Sequence, residues 1–258
     1  MISFEFSLPC DRFSTQTQAK RQDFTVRLAI ISDIHSNLEA LQSAFKAIER
    51  ESVDEIICLG DIVGYGANPN ECLHLVRERC STVLLGNHDA AAIDLAVANQ
   101  FTIHARFSAM WTFSALSKQH KTFLQSLPRI QPRGDILFSH ASPFEPEEWH
   151  YVISDIDTRE AFHAFTERIC FIGHSHIPVI YSERGKTTTV NPKGRFIVNV
   201  GSVGQPRDGN PELSFGIFDA DAWSYKNVRV PYDIHAAAEK IRKEGLPPTL
   251  AERLFYGM

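Results

Sequence analysis

The chain of 258 residues predicts a mixed α/β fold, with sheet layers carrying helices on their outer sides. In the first half, short apolar runs alternate with stretches of helical period, the order expected of parallel βα units. In the second half, apolar runs follow one another more closely, and the last four have hairpin-like spacing, which predicts largely antiparallel pairing. Composition agrees: 43% hydrophobic and 22% charged residues are ordinary for one globular core.

Residues 1–25 (through FSTQTQAKRQD) hold neither a helical nor a strand period and predict a loosely ordered tail, so the domain is placed at 26–258. VRLAII opens it as a strand. A helix follows, with Ser36 and Glu39 at capping-box spacing and Leu38, Leu41, Phe45 and Ile48 on its buried stripe. DEIICLG is a second strand. In NPNECLHLVRER, Asn68 and Glu71 repeat the capping spacing and Pro69 suits the first helical position. STVLLGN leads into DAAAIDLAVA, then into one long helical stretch from Ile103 to Leu127 that Pro128 ends. Its stripe of Phe107, Met110, Trp111 and Phe113 predicts core or lid packing. The later strands are DILFSH, RICFIGHSH, VIYSE, RFIVNVG, LSFGIFD and KNVRV. A closing helix, DIHAAAEKIRKEG, puts Ile234, Ala237, Ala238 and Ile241 on one face and stops at Gly245, with Pro247 beyond.

Several classes are disfavoured. A net charge of −5 gives no bulk attraction to nucleic acid or to an anionic membrane, so a polyanionic ligand needs local cations. Five cysteines (Cys10, Cys58, Cys72, Cys80, Cys170) without a CxxC pair argue against a disulfide framework or thiolate zinc. The apolar runs are too short to span a membrane, and MISFEFSLPC lacks the features of a secretory signal; a cytoplasmic location is the expectation.

The chemistry gathers where strands end: SDIHSN (Asp33, His35), LGDIVGYG (Asp61), LGNHD (Asn87, His88, Asp89), FSHAS (His140) and IGHSH (His174, His176). That edge is where α/β sheets bind ligands. Imidazole, carboxylate and amide donors without thiolate favour mid-row divalent metals over structural zinc. Alternate residues on an extended chain share a face, so Asp33 with His35, and His174 with His176, are expected to aim at one locus. Taken singly, each residue reads more readily as a turn, cap or loop polar; five strand ends carrying such donors together read as a metal site. Seven donors (Asp33, His35, Asp61, Asn87, His140, His174, His176) exceed one ion's needs but suit two ions about 3.5–4 Å apart sharing a carboxylate, with Asp61 as the bridge. Arg207 is a candidate phosphate grip, against a plain surface charge. Tyr65 either stacks on a substrate base or covers its loop, and Asp89 either orients His88 or caps a helix. Trp149 and His150 are candidate pocket lining; His74, His104, His120, His163 and His235 are assigned no chemistry.

The succession DIH, GDIVGYG, GNHD, SHA and GHSH resembles the five-block signature of the calcineurin-like metallophosphoesterases, in order and in spacing, over about residues 26–230. GSVGQPRDG at 201–209 resembles the bacterial phosphodiesterase and dinucleoside-polyphosphatase-like branch. The likeness implies a four-layer αββα sandwich of two mixed β-sheets. It also implies one metal on Asp33, His35, Asp61 and His176, another on Asp61, Asn87, His140 and His174, and His88 as the catalytic histidine. The implied chemistry is attack of a metal-bridging hydroxide on phosphorus, with a protonated His88 serving the departing oxygen and activity falling at acid and at high pH. Manganese or iron is expected, with zinc, cobalt or nickel as alternatives. Protein phosphatases of the superfamily read GDxVDRG, whereas this chain has Gly64 and Tyr65 at the aspartate and arginine positions. The expected substrate is therefore a small-molecule phosphodiester or nucleotide pyrophosphate. A serine/threonine phosphoprotein phosphatase and a non-catalytic scaffold are the alternatives.

Overall fold

The computed structural model describes residues 26–258; the tail expected over 1–25 lies outside the described residues. In chain order the strands are β1 (Arg27–Ile31), β2 (Glu55–Cys58), β3 (Thr82–Val83), β4 (Ile130–Arg133), β5 (Ile136–Ser139), β6 (Ile169–Ile172), β7 (Val179–Ser182), β8 (Gly185–Thr187), β9 (Phe196–Asn199), β10 (Leu213–Asp219) and β11 (Ser224–Val230). The helices are α1 (Leu38–Ile48), α2 (Pro69–Arg79), α3 (Asn87–Ala91), α4 (Ile103–Ala115), α5 (Lys118–Gln125), α6 (Asp155–His163), α7 (Ile234–Lys243) and α8 (Pro248–Glu252). One sheet runs β11-β10-β1-β2-β3, the other β4-β5-β6-β9-β7-β8.

Period-two alternation builds the layers. Leu28 and Ile30 of β1 face Phe138, Phe171 and Val198 of the opposite sheet, while Ala29 and Ile31 face α1 and α2. In the second sheet Phe171 points between the sheets, and its neighbours Cys170 and Ile172 pack under α6 beside Ala161 and Phe162. The result is the four-layer αββα sandwich, helix to sheet to sheet to helix. Phe171 is fully buried against Phe138 and Phe218 (ring centroids 5.9 and 5.2 Å apart), so truncation to alanine costs about 3–5 kcal/mol.

The structure corrects several local expectations. Asn37, not Ser36, caps α1, its side chain accepting the Ala40 N–H; Ser36 sits in the left-handed region at φ 54°. Asn68 precedes α2, with Pro69 first in the helix, but its amide donates to Glu71 and caps no backbone N–H. The stretch from 103 to 127 is two helices, because the chain leaves helical geometry at Leu116 and Ser117 caps α5 through the His120 N–H. On α4, Phe107 and Met110 are half exposed; of that stripe Trp111 packs under the C-terminal helices. β6 pairs in parallel with β5 and β9, and β9 and β10 lie in different sheets, so the second half is less antiparallel than predicted. β4, β8 and α6 were not anticipated. Helix α7 behaves as expected, with Ala237, Ala238 and Ile241 buried, and Gly245 beyond its end at φ 68°. Among the described residues no helix is long and apolar enough to cross a membrane.

Candidate metal centre

The carboxyl ends of β1, β2, β3, β5 and β6 deliver Asp33, Asp61, Asn87, His140 and His174 to one edge, all of them buried. Two groups of donors form there: Asp33 with His35 and His176, and Asp61 with His140 and His174. In the first, His35 Nε2 lies 3.1 Å from His176 Nε2, and Asp33 Oδ1 lies 3.4 Å from His176 Nε2. In the second, His140 Nε2 lies 3.5 Å from Asp61 Oδ2 and 3.2 Å from Asn87 Oδ1. Asp61 Oδ2 is also 3.7 Å from His35 Nε2, so it stands between the groups.

Backbone carbonyls set the imidazole tautomers. His35 Nδ1–H donates to the Val63 carbonyl (3.0 Å), His140 Nδ1–H to Leu59 (3.2 Å) and His176 Nδ1–H to Gln205 (2.5 Å). A carbonyl only accepts, so each ring turns a bare Nε2 into the cluster when neutral, the form a metal ligand needs. The carboxylates are fixed in the same way. Asp61 Oδ1 accepts the His88 N–H (2.8 Å) and Asp33 Oδ2 the His174 N–H (2.9 Å), leaving one oxygen of each for the centre.

Five of the seven donors have left-handed backbones: Asp33 (φ 53°), His35 (50°), Asp61 (52°), His174 (66°) and His176 (62°). The extended-chain expectation is thereby corrected. Asp33 and His35 meet because a tight turn curls them together, and His174 and His176 aim into different groups. Such strain is held only where surrounding structure fixes it. Glycines permit the crossing of these turns: a Cβ on Gly86 would lie 2.1 Å from Asp61 Oδ1, and one on Gly173 would lie 2.4 Å from Asp33 Oδ2.

Burial pushes the His174 imidazole down to about 3 and, with Arg207 adding to the effect, holds His176 well below the histidine range. Burial also lowers His35. At His140 burial is outweighed by the Asp61 carboxylate, which lifts it to about 9; Asp61 in turn, against the effect of burial, is held below the usual carboxylate range by His140 and His88. Burial raises Asp33 to about 7.

These residues fit divalent cations on their own geometry. Asp33 Oδ1 is buried without a hydrogen-bond partner among the described residues. The Nε2 lone pairs of His35 and His176 face each other at 3.1 Å with both Nδ1 protons already committed, a contact that a shared cation turns from repulsive to attractive.

His88 lies beside this cluster, boxed by the rings of Tyr65 (4.4 Å), Phe101 (4.6 Å) and His35 (4.9 Å), with a buried, unpartnered Nδ1. Burial pushes it down to about 4, so the imidazole is neutral at pH 7 rather than the protonated acid expected from sequence. Tyr65 covers its own loop, stacking on His35 and His88. Asp89 does not reach His88; it accepts the Gly86, Ile62 and Val63 N–H groups and so joins the two site loops. Arg207 bonds Gln205 Oε1 and lies 5.7 Å from the Tyr65 ring centroid. Trp149 meets His140 edge-on, whereas His150 turns away to Glu145. Sequence reading passed over Tyr151, stacked on His174 at 4.1 Å, along with Phe101, Gln205 and the glycines. A signal for the glycines was present, since Gly60, Gly86 and Gly173 each immediately precede a donor.

Two facing sheets with outer helices, and paired His/Asp groups at the strand ends, define an α/β sandwich with a candidate two-part metal centre. The chain belongs to the calcineurin-like phosphoesterase superfamily, whose domain model matches residues 26–222. It is 41% identical to an uncharacterised protein of Methanocaldococcus jannaschii, over 89% of this chain and 98% of that one. The crystal structure of a metallophosphoesterase from Sphaerobacter thermophilus superposes with a TM-score of 0.81 at 37% identity, covering 91% of this chain and 100% of that one. A putative diadenosine tetraphosphatase shares the fold at 18% identity and a TM-score of 0.50, over 80% of this chain and 95% of that one.

Proposed function

We propose that the protein hydrolyses phosphodiester or nucleotide pyrophosphate bonds of small molecules, using two divalent cations. The observation that carries this reading is the place of Asp61: one oxygen is spent on the His88 N–H, and the other stands 3.7 Å from His35 Nε2 and 3.5 Å from His140 Nε2, between the two donor groups. Asp33, His35, Asp61 and His176 would hold one cation, and Asp61, Asn87, His140 and His174 the other. When bound, the cations neutralise phosphate oxygens and lower the pKa of water, the two requirements for cleaving an anionic ester. Manganese or iron suits the mixed nitrogen and oxygen donors; zinc, cobalt and nickel are the alternatives.

The chain's own groups do the rest. His88 stabilises the departing oxygen through a ring N–H, which a neutral imidazole still donates. Arg207, whose backbone N–H reaches the His176 carbonyl at 3.4 Å and so ties its loop to the cluster, offers its guanidinium to grip a phosphate oxygen. Burial of the donors excludes water from the ligand cage and keeps the ligands His35, His174 and His176, with the adjacent His88, neutral. Gly64 and Tyr65, in place of an acid and an arginine, support a small-molecule ester over a phosphoprotein.

The test is a hydrolysis panel on metal-loaded protein, comparing bis(p-nitrophenyl) phosphate, p-nitrophenyl phosphate, diadenosine tetraphosphate and a phosphopeptide. Turnover of the diester or the dinucleotide, lost on chelation and reduced at least about a hundredfold in Asp61→Asn, is expected. Preference for the phosphopeptide overturns the substrate reading.

A further inference from the structure

The aromatic side chains around the metal centre differ in what they show to solvent. Tyr65, Phe101, Trp149 and Tyr151 all lie against its histidines, and of these Tyr151 alone is exposed, at 47%. Its ring stacks on His174 at 4.1 Å with 25° between the planes, so the exposure belongs to the face and edge turned away from that residue. A ring fixed on a candidate ligand by one side and open on the other is a shelf beside the centre.

The chain holds the ring there. In the loop after β5 the Ser142 N–H donates to the His150 carbonyl (3.0 Å), and Val152 is buried in the cluster under α6 with Ala161 and Phe162, which turns Tyr151 outward. Ile177, directly after His176, is exposed as well and adds apolar surface beside the donors.

A cation stands next to this shelf. Arg207 bonds Gln205 Oε1 through Nε–H and an Nη–H, and Gln205 in turn takes the His176 Nδ1–H on its carbonyl. Burial raises the Tyr65 and Tyr151 phenols, and the charge of Arg207 beside both hydroxyls offsets part of that rise. The guanidinium is therefore within reach of a ring on the His35 side and a ring on the His174 side, with N–H donors left for a phosphate oxygen. Tyr65 already packs on His35 and His88, which leaves Tyr151 as the aromatic surface that a substrate meets.

We propose that Tyr151 is a specificity-determining residue, on which the planar base of a nucleoside ester stacks while its phosphate lies at the cations beside Arg207. The preferred substrate class is then a nucleotide diester or anhydride, over an ester whose arms are alkyl. This inference rests on the phosphoester reading above and deepens it. A phosphate at the cations is separated from the shelf by the His174 imidazole, a span that the sugar of a nucleotide bridges. Every base has a π face, so the shelf selects nucleosides without reading which base they carry.

The test is calorimetry of manganese-loaded protein with adenosine 5′-monophosphate and with ribose 5-phosphate, which share phosphate and sugar and differ by the base. Wild type should bind the nucleotide about tenfold tighter or better, the range of one base stacked on an aromatic side chain. Tyr151→Phe should keep that preference, and Tyr151→Leu, which fills the space beside His174 without a π face, should erase it. Manganese affinity, titrated separately, should be the same in Tyr151→Leu as in wild type. No preference in wild type, or a preference that survives in Tyr151→Leu, overturns the inference. Equal weakening of both ligands in Tyr151→Leu together with weaker manganese binding makes Tyr151 a support of His174 and overturns it too. If neither the diester nor the dinucleotide of the hydrolysis panel is turned over, it is the phosphoester reading that fails, and the binding ratios still decide the shelf.

Discussion

His35 Nε2 and His176 Nε2 face each other at 3.1 Å, although each ring has already given its Nδ1 proton to a backbone carbonyl. Residues 141 positions apart are thus held lone pair to lone pair, and the fold carries that repulsion until a cation is shared. Loading with manganese at about a hundred times Kd should therefore stabilise the protein by about 2.7 kcal/mol. For a domain of this size that is a rise of about 5–10 °C in Tm. Thermal denaturation with and without chelator checks this, and an unchanged midpoint counts against a preformed centre.

Gly173→Ala separates the centre from the fold. Its Cβ would lie 2.0 Å from Ser32 Oγ and 2.4 Å from Asp33 Oδ2, so the Asp33 carboxylate must move from its place. Cation affinity should fall by about 10–100-fold, as for lost outer supports of ligands. Titration with manganese, alongside circular dichroism to show the sheet content retained, measures it.

Asp89→Ala is expected to destabilise the protein by about 3 kcal/mol or more, because the Gly86, Ile62 and Val63 N–H groups lose their acceptor inside the protein. Urea denaturation of the metal-free form reads this directly. The same variant loosens Asp61 and Asn87 together, so cation affinity should fall with it. A loss under about 0.5 kcal/mol, the range of a surface change, would show that water replaces the carboxylate.

The pH dependence of the metal-free protein follows from His140. Its folded pKa, about 9, is above the unfolded value because Asp61 outweighs burial, so its stabilisation is complete below the unfolded pKa near 6.5 and is lost as pH rises through 9. Asp33 and Asp89, raised to about 7 by burial, finish their own contribution about one unit above that pH, and His88 and His174, lowered to about 4 and 3, finish theirs about one unit above 6.5. Between about pH 8 and 9, then, stability should fall in the chelated protein, fall less steeply in His140→Asn, and be offset by cation affinity that rises as the His140 proton leaves. A denaturation series across that window reads the slope, and a rising slope contradicts the pairing.

The layers were legible because their code is local: alternation in VRLAII, RICFIGHSH and RFIVNVG assigns one side of each strand to the inter-sheet core and the other to helices. The donors were legible because each directly follows such a run. What escaped depends on contacts across the chain or on exact turn geometry. Ser36 and Asn37 are both good caps, and only the left-handed turn at 35–36 selects Asn37. The break at Leu116 leaves the apolar period of 103–127 intact, so periodicity alone does not reveal it. Tyr151 meets the centre through a loop from a distant element, and the neutrality of His88 comes from its burial among Phe101 and Tyr65, which no spacing rule ties to it.

The central claim is that one carboxylate, Asp61, joins two cation sites. Anomalous diffraction from manganese-soaked crystals, collected on wild type and Asp61→Asn, tests it most directly. The expected result is two peaks about 3.5–4 Å apart in the wild type, one flanked by Asp33, His35 and His176 and the other by Asn87, His140 and His174, with Asp61 between them. Weaker or single occupancy is expected in the variant. A lone wild-type peak that leaves either group without a cation, or two peaks that do not share Asp61, would contradict it.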